Sequence, residues 1–220
     1  VYLYRATLFR NLAINKKVLA AFLPTAVIGF VLYKLIKSFL ISNVNLALWA
    51  MLIGGVVLII FELWYKSRES NQTNSLANIS YQQSVLIGLA QSLAVIPGVS
   101  RSAATIVAGL ALGLSRQAIV EFSFLLAVPT MLAATLYDFY KNSATFSTSQ
   151  LDLLLLGFVT AFIFALISVK FLLNYIQRNN FTAFGVYRII VALIFLFLLM
   201  SYLNVKLYYS SLKFLYQNIL

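Results

Sequence analysis

Ser100, Arg101 and Ser102 stand together inside an otherwise apolar stretch, Ser92 to Leu114 (SLAVIPGVSRSAATIVAGLALGL). With Pro97 and Gly98 ahead of them and Thr105 just behind, they are the residues of this chain best equipped for chemistry. Pro97 cannot continue a helix and Gly98 permits a turn, so a first half-helix ends there. Ser100 and Ser102 occupy N-cap positions for the helix that follows, and Thr105 lies in its first turn. The N-terminus of such a helix carries free N–H groups and about half a positive charge. Arg101 adds a cation whose planar fork suits phosphate oxygens. Free amides, hydroxyls, a helix dipole and a guanidinium converging at membrane depth make an anion site, most naturally one for phosphate. The alternative is structural: Arg101 pairs with a carboxylate such as Glu121 and locks the fold, with the serines as ordinary caps.

Other chemistries are closed off. The chain has no Cys, which removes disulfides and thiolates, and no His, which removes the commonest general base and zinc ligand. Its carboxylates form no cluster with metal-ligand spacing, so no metal-binding residue is identifiable. Arg116 and Glu121 open a long helix, where they pair with each other or with polar loop ends. Glu62 and Asp138 sit near span ends and read as interfacial; Pro24 and Pro129 read as packing kinks.

The elements that must position the serines and the arginine are membrane helices. Of the 220 residues, 62% are hydrophobic and 10% charged, and the mean hydropathy is +0.94. That is an all-α polytopic membrane protein, one integral membrane domain over residues 1–220. The net charge of +11 would point to nucleic acid in a soluble protein. Here the basic residues flank apolar runs, so they anchor the chain to anionic headgroups, and no nucleic-acid partner is expected.

Spans are expected at about Val18–Leu35, Leu46–Trp64, Gln117–Tyr140, Leu151–Leu173 and Ala183–Leu203, each near the ~20 residues that cross ~30 Å of hydrocarbon. Tyr65–Ser80 and Lys141–Gln150 are polar connections, and Arg178-Asn179-Asn180 is a turn. The tail from Asn204 reads as lying along the interface. Between the second and third spans, Tyr81–Ile96 and Ala103–Leu114 are too short to cross. Joined by the Pro-Gly-polar loop, they describe a re-entrant hairpin over about 81–114. That topology collects Arg5, Arg10, Lys16, Lys17, Lys66, Arg68, Arg116, Lys170 and Arg178 on one side. Lys34, Lys37, Lys141, Lys206 and Lys213 fall on the other, so the first side is cytoplasmic.

The first span resembles the Leu151 span at Thr25-Ala26 and Thr160-Ala161, and the second resembles the last at Val56–Ile59 and Val191–Ile194. The paired spans run in opposite directions, the pattern of an inverted repeat with its site at the repeat interface. A hairpin matching the Ser-Arg-Ser one is then expected upstream of Val1. The opening VYLYRATLF reads like the end of a spanning helix, so the first repeat is expected to be incomplete here.

Pro97-Gly98-Val99-Ser100-Arg101-Ser102-Ala103-Ala104-Thr105 resembles the PGxSRSGxT signature of the bacterial undecaprenyl-diphosphate phosphatases, also called bacitracin-resistance phosphatases. Ser115-Arg116, with Glu121-Phe122-Ser123-Phe124-Leu125-Leu126-Ala127-Val128-Pro129, resembles the next helix of that family. The similarity runs from about Lys17 to Leu203. It implies an enzyme of the bacterial cytoplasmic membrane with two re-entrant hairpins and a site open to the external face. The reaction implied is hydrolysis of undecaprenyl diphosphate to undecaprenyl phosphate and phosphate, recycling the carrier for cell-wall synthesis. A divalent cation, Mg or Ca, is implied as cofactor, and the polyprenyl diphosphate lipid, the membrane and a homodimer as partners. By the same pattern Ser100 and Arg101 are the catalytic candidates, Arg101 as diphosphate clamp, with Gly98, Ser102 and Thr105 on the substrate.

Two departures stand out. Ala103 replaces the signature's Gly, and the family's other motif, EGxTEFLPxSSTGH with its acid and histidine, is absent; Leu23-Pro24-Thr25 only echoes it. These residues are therefore expected to hold the clamp without the acid/base half, and to be inactive alone. The rival reading is a transporter or flippase of an anionic polyprenyl lipid, because broken helices facing an anion also serve transport.

Overall fold

In the computed structural model, the described residues are 11–32, 43–65, 75–142, 151–176 and 179–219, with backbone alone for 142 and 202–219. Seven α-helices follow in order: α1 (Leu12–Val31), α2 (Val44–Tyr65), α3 (Tyr81–Gln91), α4 (Arg101–Ala111), α5 (Arg116–Asn142), α6 (Leu151–Ile176) and α7 (Thr182–Ile219). Short 3₁₀ turns occupy Leu76–Asn78 and Ser92–Val95, and the described residues contain no strand. Leu12–Val31, Val44–Tyr65, Arg116–Lys141, Leu151–Ile176 and Thr182–Ser201 are each long and apolar enough to cross a membrane. Large apolar side chains such as Leu153, Phe164 and Phe197 face outward, as lipid solvent permits and water does not. The chain is an all-α polytopic membrane protein.

Two boundaries differ from expectation. The first helix opens at Leu12, because the Asn11 side chain accepts the Ile14 N–H at 3.2 Å and caps it. Lys16 and Lys17 therefore lie within α1, and Lys17 Nζ reaches the Ala77 carbonyl at 2.7 Å. A long stem can pack along a helix while its charge leaves the apolar layer. At the other end, the backbone from Asn204 to Ile219 continues α7 instead of departing from it. No proline interrupts the segment, and the 38-residue helix extends about 57 Å at ~1.5 Å per residue. Pro24 and Pro129 sit inside α1 and α5 without ending them. Among the flanking basic residues, Arg5, Arg10, Lys34, Lys37, Lys66, Arg68 and Arg178 lie outside the described residues, as do the side chains of Lys206 and Lys213.

Small residues set the helix spacing. α2 packs along α7, and a Cβ on Gly185 would stand 2.9 Å from the Gly55 carbonyl oxygen. Gly88 brings α3 against the backbone of Ala21 in α1, and Thr25 Oγ1 donates to the Gly88 carbonyl at 2.8 Å across that contact. Close backbone approach of this kind holds helices together where lipid offers no hydrophobic drive. Gly185→Leu is expected to cost about 1–3 kcal/mol by overpacking. The check is the unfolding midpoint in detergent; an unchanged midpoint would show that α2 and α7 do not depend on this contact.

α3 and α4 form a helical hairpin. Gln83 Nε2 donates to the Leu112 carbonyl at 3.0 Å, so the hairpin starts and finishes at one end of the bundle. Its entry is fixed by a capping box between Ser80 and Gln83. The same end holds the start of α5 and α7 and the finish of α2, which Arg116, Phe181 and Glu62 tie together. α5 crosses both α1 and α4, while α6 leans on α5.

Candidate functional site: an arginine-lined cavity at the hairpin tip

The tip is a turn over Ile96–Val99, closed by the Val99 N–H on the Ile96 carbonyl at 3.1 Å. Pro97 at its second position and Gly98 at its third, with φ of 90°, are the type II pattern. Gly98 is required twice over, because a Cβ there would also run into the Ala47 carbonyl of α2. Gly98→Ala is expected to lower stability and to displace the tip. A wild-type melting temperature for that variant would contradict the packing described here.

Immediately after the turn, Ser100 is the N-cap of α4. Its Oγ accepts the Ala103 N–H at 3.2 Å and lies 3.1 Å from Ser102 Oγ. The first-turn amides of Arg101 and Ser102 are left without intrahelical acceptors. Thr105 Oγ1 donates its single proton toward the Ser102 and Arg101 carbonyls, at 3.0 and 3.2 Å. It therefore accepts from Ser123 Oγ at 2.7 Å. That bond ties α4 to α5 and places Thr105, which is fully buried, behind the wall of the site.

A cavity of about 340 Å³ opens beside this cap. Ser100, Arg101, Ser102 and Ser123 line it together with Tyr187 and Arg188 of α7. Gly98 contributes through its carbonyl oxygen, which accepts from Arg188 Nη2 at 2.7 Å. Two guanidinium atoms, Arg101 Nη1 and Arg188 Nε, are buried without a hydrogen-bond partner. The remaining walls are apolar, among them Leu58, Ile106, Phe124 and Phe184. A guanidinium N–H stranded among such walls is costly unless an acceptor arrives.

Glu121, the alternative partner of Arg101, instead accepts from Gln117 Nε2 at 3.2 Å. Glu62 is also committed elsewhere. Near the end of its span, it is 3% exposed and takes both Nη atoms of Arg116, at 2.5 and 2.9 Å. The same carboxylate accepts the Phe181 N–H at 3.1 Å. Arg116 lies over the Tyr65 and Phe181 rings, 5.1 and 5.9 Å from their centroids. This pair closes one end of the bundle, and its charge is not available to the cavity.

Ser100, Arg101 and Ser102 line the cavity together, and Arg188 and Ser123, which the sequence does not single out, join them from α7 and α5. Arg188 carried the same signal as Arg101, an arginine inside an apolar span. Ser123 carried none, since a lone hydroxyl in an apolar helix can bond its own backbone. The divalent cation implied by the resemblance does not fit these residues. Among the described residues, the lining offers cationic groups and hydroxyls but no carboxylate, and no cluster of three acidic side chains is present. A larger cavity, about 1370 Å³ between α1, α5 and α6, shares no lining residue with this one.

Residues 5–194 match the family described as bacitracin resistance protein BacA. Over 187 residues the chain is 48% identical to an undecaprenyl-diphosphatase of Sulfurihydrogenibium sp., an alignment covering 85% of this chain and 73% of that protein. It is 49% identical to one from Wolinella succinogenes over 197 residues, 90% of this chain and 76% of the relative. An Aquifex aeolicus protein of the same name is 43% identical over 195 residues, 89% and 75% of the two chains. With the match running through the hairpin and the first four spans and into the fifth, the chain belongs to the bacitracin resistance protein BacA family.

Proposed function

We propose that these residues hold the diphosphate of undecaprenyl diphosphate while its terminal phosphoryl group is transferred to water, giving undecaprenyl phosphate and inorganic phosphate. The carrier so released returns to cell-wall synthesis in the bacterial cytoplasmic membrane. The observation that carries this reading is that two arginines, each with a buried guanidinium nitrogen that has no hydrogen-bond partner, line one hydroxyl-bearing cavity. Such donors, preorganised in a water-poor site, stabilise charge developing on phosphoryl oxygens without reorganisation. Arg101 and the amides at the start of α4 would bind the reacting phosphoryl group, and Ser100 and Ser102 would orient it. Gly98 would act through the turn it permits, and Thr105 by fixing α4 on Ser123. Ser100 and Arg101 are thus the proposed catalytic residues; Gly98 and Thr105 position them.

Among the described residues, the cavity lining provides no carboxylate or imidazole to take a proton from water. The purified 220-residue chain is therefore expected to bind the lipid diphosphate without releasing phosphate. A hairpin that begins and ends at one end of the bundle suits re-entry from one membrane face. The antiparallel packing of α2 on α7 suits the inverted pairing of those spans.

A transporter of the same lipid would need the same clamp, so the deciding measurement is phosphate release in detergent, where no bilayer exists to cross. The protein as its own gene encodes it is expected to release phosphate from undecaprenyl diphosphate. Binding without release would favour transport.

A further inference from the structure

We propose that Arg188 makes the cavity selective for a diphosphate over a monophosphate. The proposal rests on reading the cavity as a phosphate site. Arg101 and Arg188 reach it from different elements, α4 and α7, and neither meets a carboxylate there. Arg188 is anchored by one edge only: Nη2 donates to the Gly98 carbonyl at 2.7 Å, while Nε is buried and unpartnered. Because Gly98 belongs to the turn that leads into Arg101, that anchor holds the two guanidinium groups in a fixed relation.

α2 is shaped to admit Arg188. A Cβ on Gly54 would stand 2.9 Å from its Nη2, so the missing side chain leaves the slot that the guanidinium fills. Gly54 is at the middle of the span Val44–Tyr65, where a guanidinium without a counter-charge is expensive.

A single phosphoryl group can take the fork of Arg101 and leave Arg188 uncompensated among apolar walls. A diphosphate brings a second anionic phosphoryl group, whose oxygens can accept from the Arg188 guanidinium that lines the cavity. Both cations are then matched, so affinity depends on the second phosphoryl group through Arg188. The product monophosphate would leave Arg188 unmatched again, which favours its release.

The test is titration of the purified chain in detergent with inorganic pyrophosphate and with inorganic phosphate, following affinity and the ligand-induced rise in melting temperature. Wild type should prefer pyrophosphate. Arg188→Gln should weaken pyrophosphate by about 10- to 100-fold, the effect of losing one charge-assisted contact, and weaken phosphate by about threefold or less. Arg101→Gln should weaken both anions. Gly54→Val, which displaces the guanidinium while keeping Arg188, should also lower the preference and covers the case in which Arg188→Gln does not fold. Equal weakening of both anions by these variants, or an unchanged preference, would overturn the role of Arg188 and leave the phosphate site standing. Failure of wild type to bind either anion would overturn the phosphate site itself.

Discussion

Arg101→Ala is expected to lower phosphate release from undecaprenyl diphosphate by about 10²–10³-fold in the protein as its gene encodes it. That is the loss typical of removing one preorganised donor from developing negative charge. The expectation follows from where Arg101 stands. Its Nη1 is buried without a partner beside Ser100 and Ser102, and neither Glu62 nor Glu121 neutralises it. Arg101→Lys should recover little, because a point charge on a flexible stem cannot reproduce a planar fork. If Arg101 instead served only to lock the fold, the alanine variant would lose melting temperature and activity together. With Arg101 serving the site instead, the variant is expected to melt near wild type, since no protein bond through its buried Nη1 is broken. Near-wild-type turnover by Arg101→Ala would remove it from the site.

The largest expected effect on stability is at Glu62. Replacing it by Ala removes the bidentate partner of Arg116 and the acceptor of the Phe181 N–H in one step. Breaking a buried pair from one side typically costs about 3–5 kcal/mol. The double variant Glu62→Met/Arg116→Met should cost less than Glu62→Ala, because no buried charge is left behind. Denaturant titration in mixed micelles measures both. A single-variant loss below about 1 kcal/mol would mean that this pair behaves as an exposed one.

Much of the fold was legible because membrane spans announce themselves by length and apolarity. The hairpin was legible because Pro97-Gly98 breaks an apolar run too short to cross on either side. The Ser100 cap followed from helix chemistry alone. Four features were hidden for physical reasons. Glu62 looks interfacial in sequence, and only the meeting of α2, α5 and the start of α7 buries it. Arg188 obeyed a rule that the sequence exposes, but its bond to Gly98 spans 90 positions and requires the fold. The early start of α1 turned on one Asn11 side chain, ahead of a basic pair that reads as a flank. Ser123 entered the site only through the register of α5 against α4, which no local pattern encodes.

The most direct test of the diphosphate clamp is ³¹P NMR of undecaprenyl diphosphate titrated with the purified chain in detergent. Both phosphorus signals should shift saturably with wild type and remain at their free positions with Arg101→Gln. Saturable shifts of equal size with Arg101→Gln, or none with wild type, would contradict the clamp.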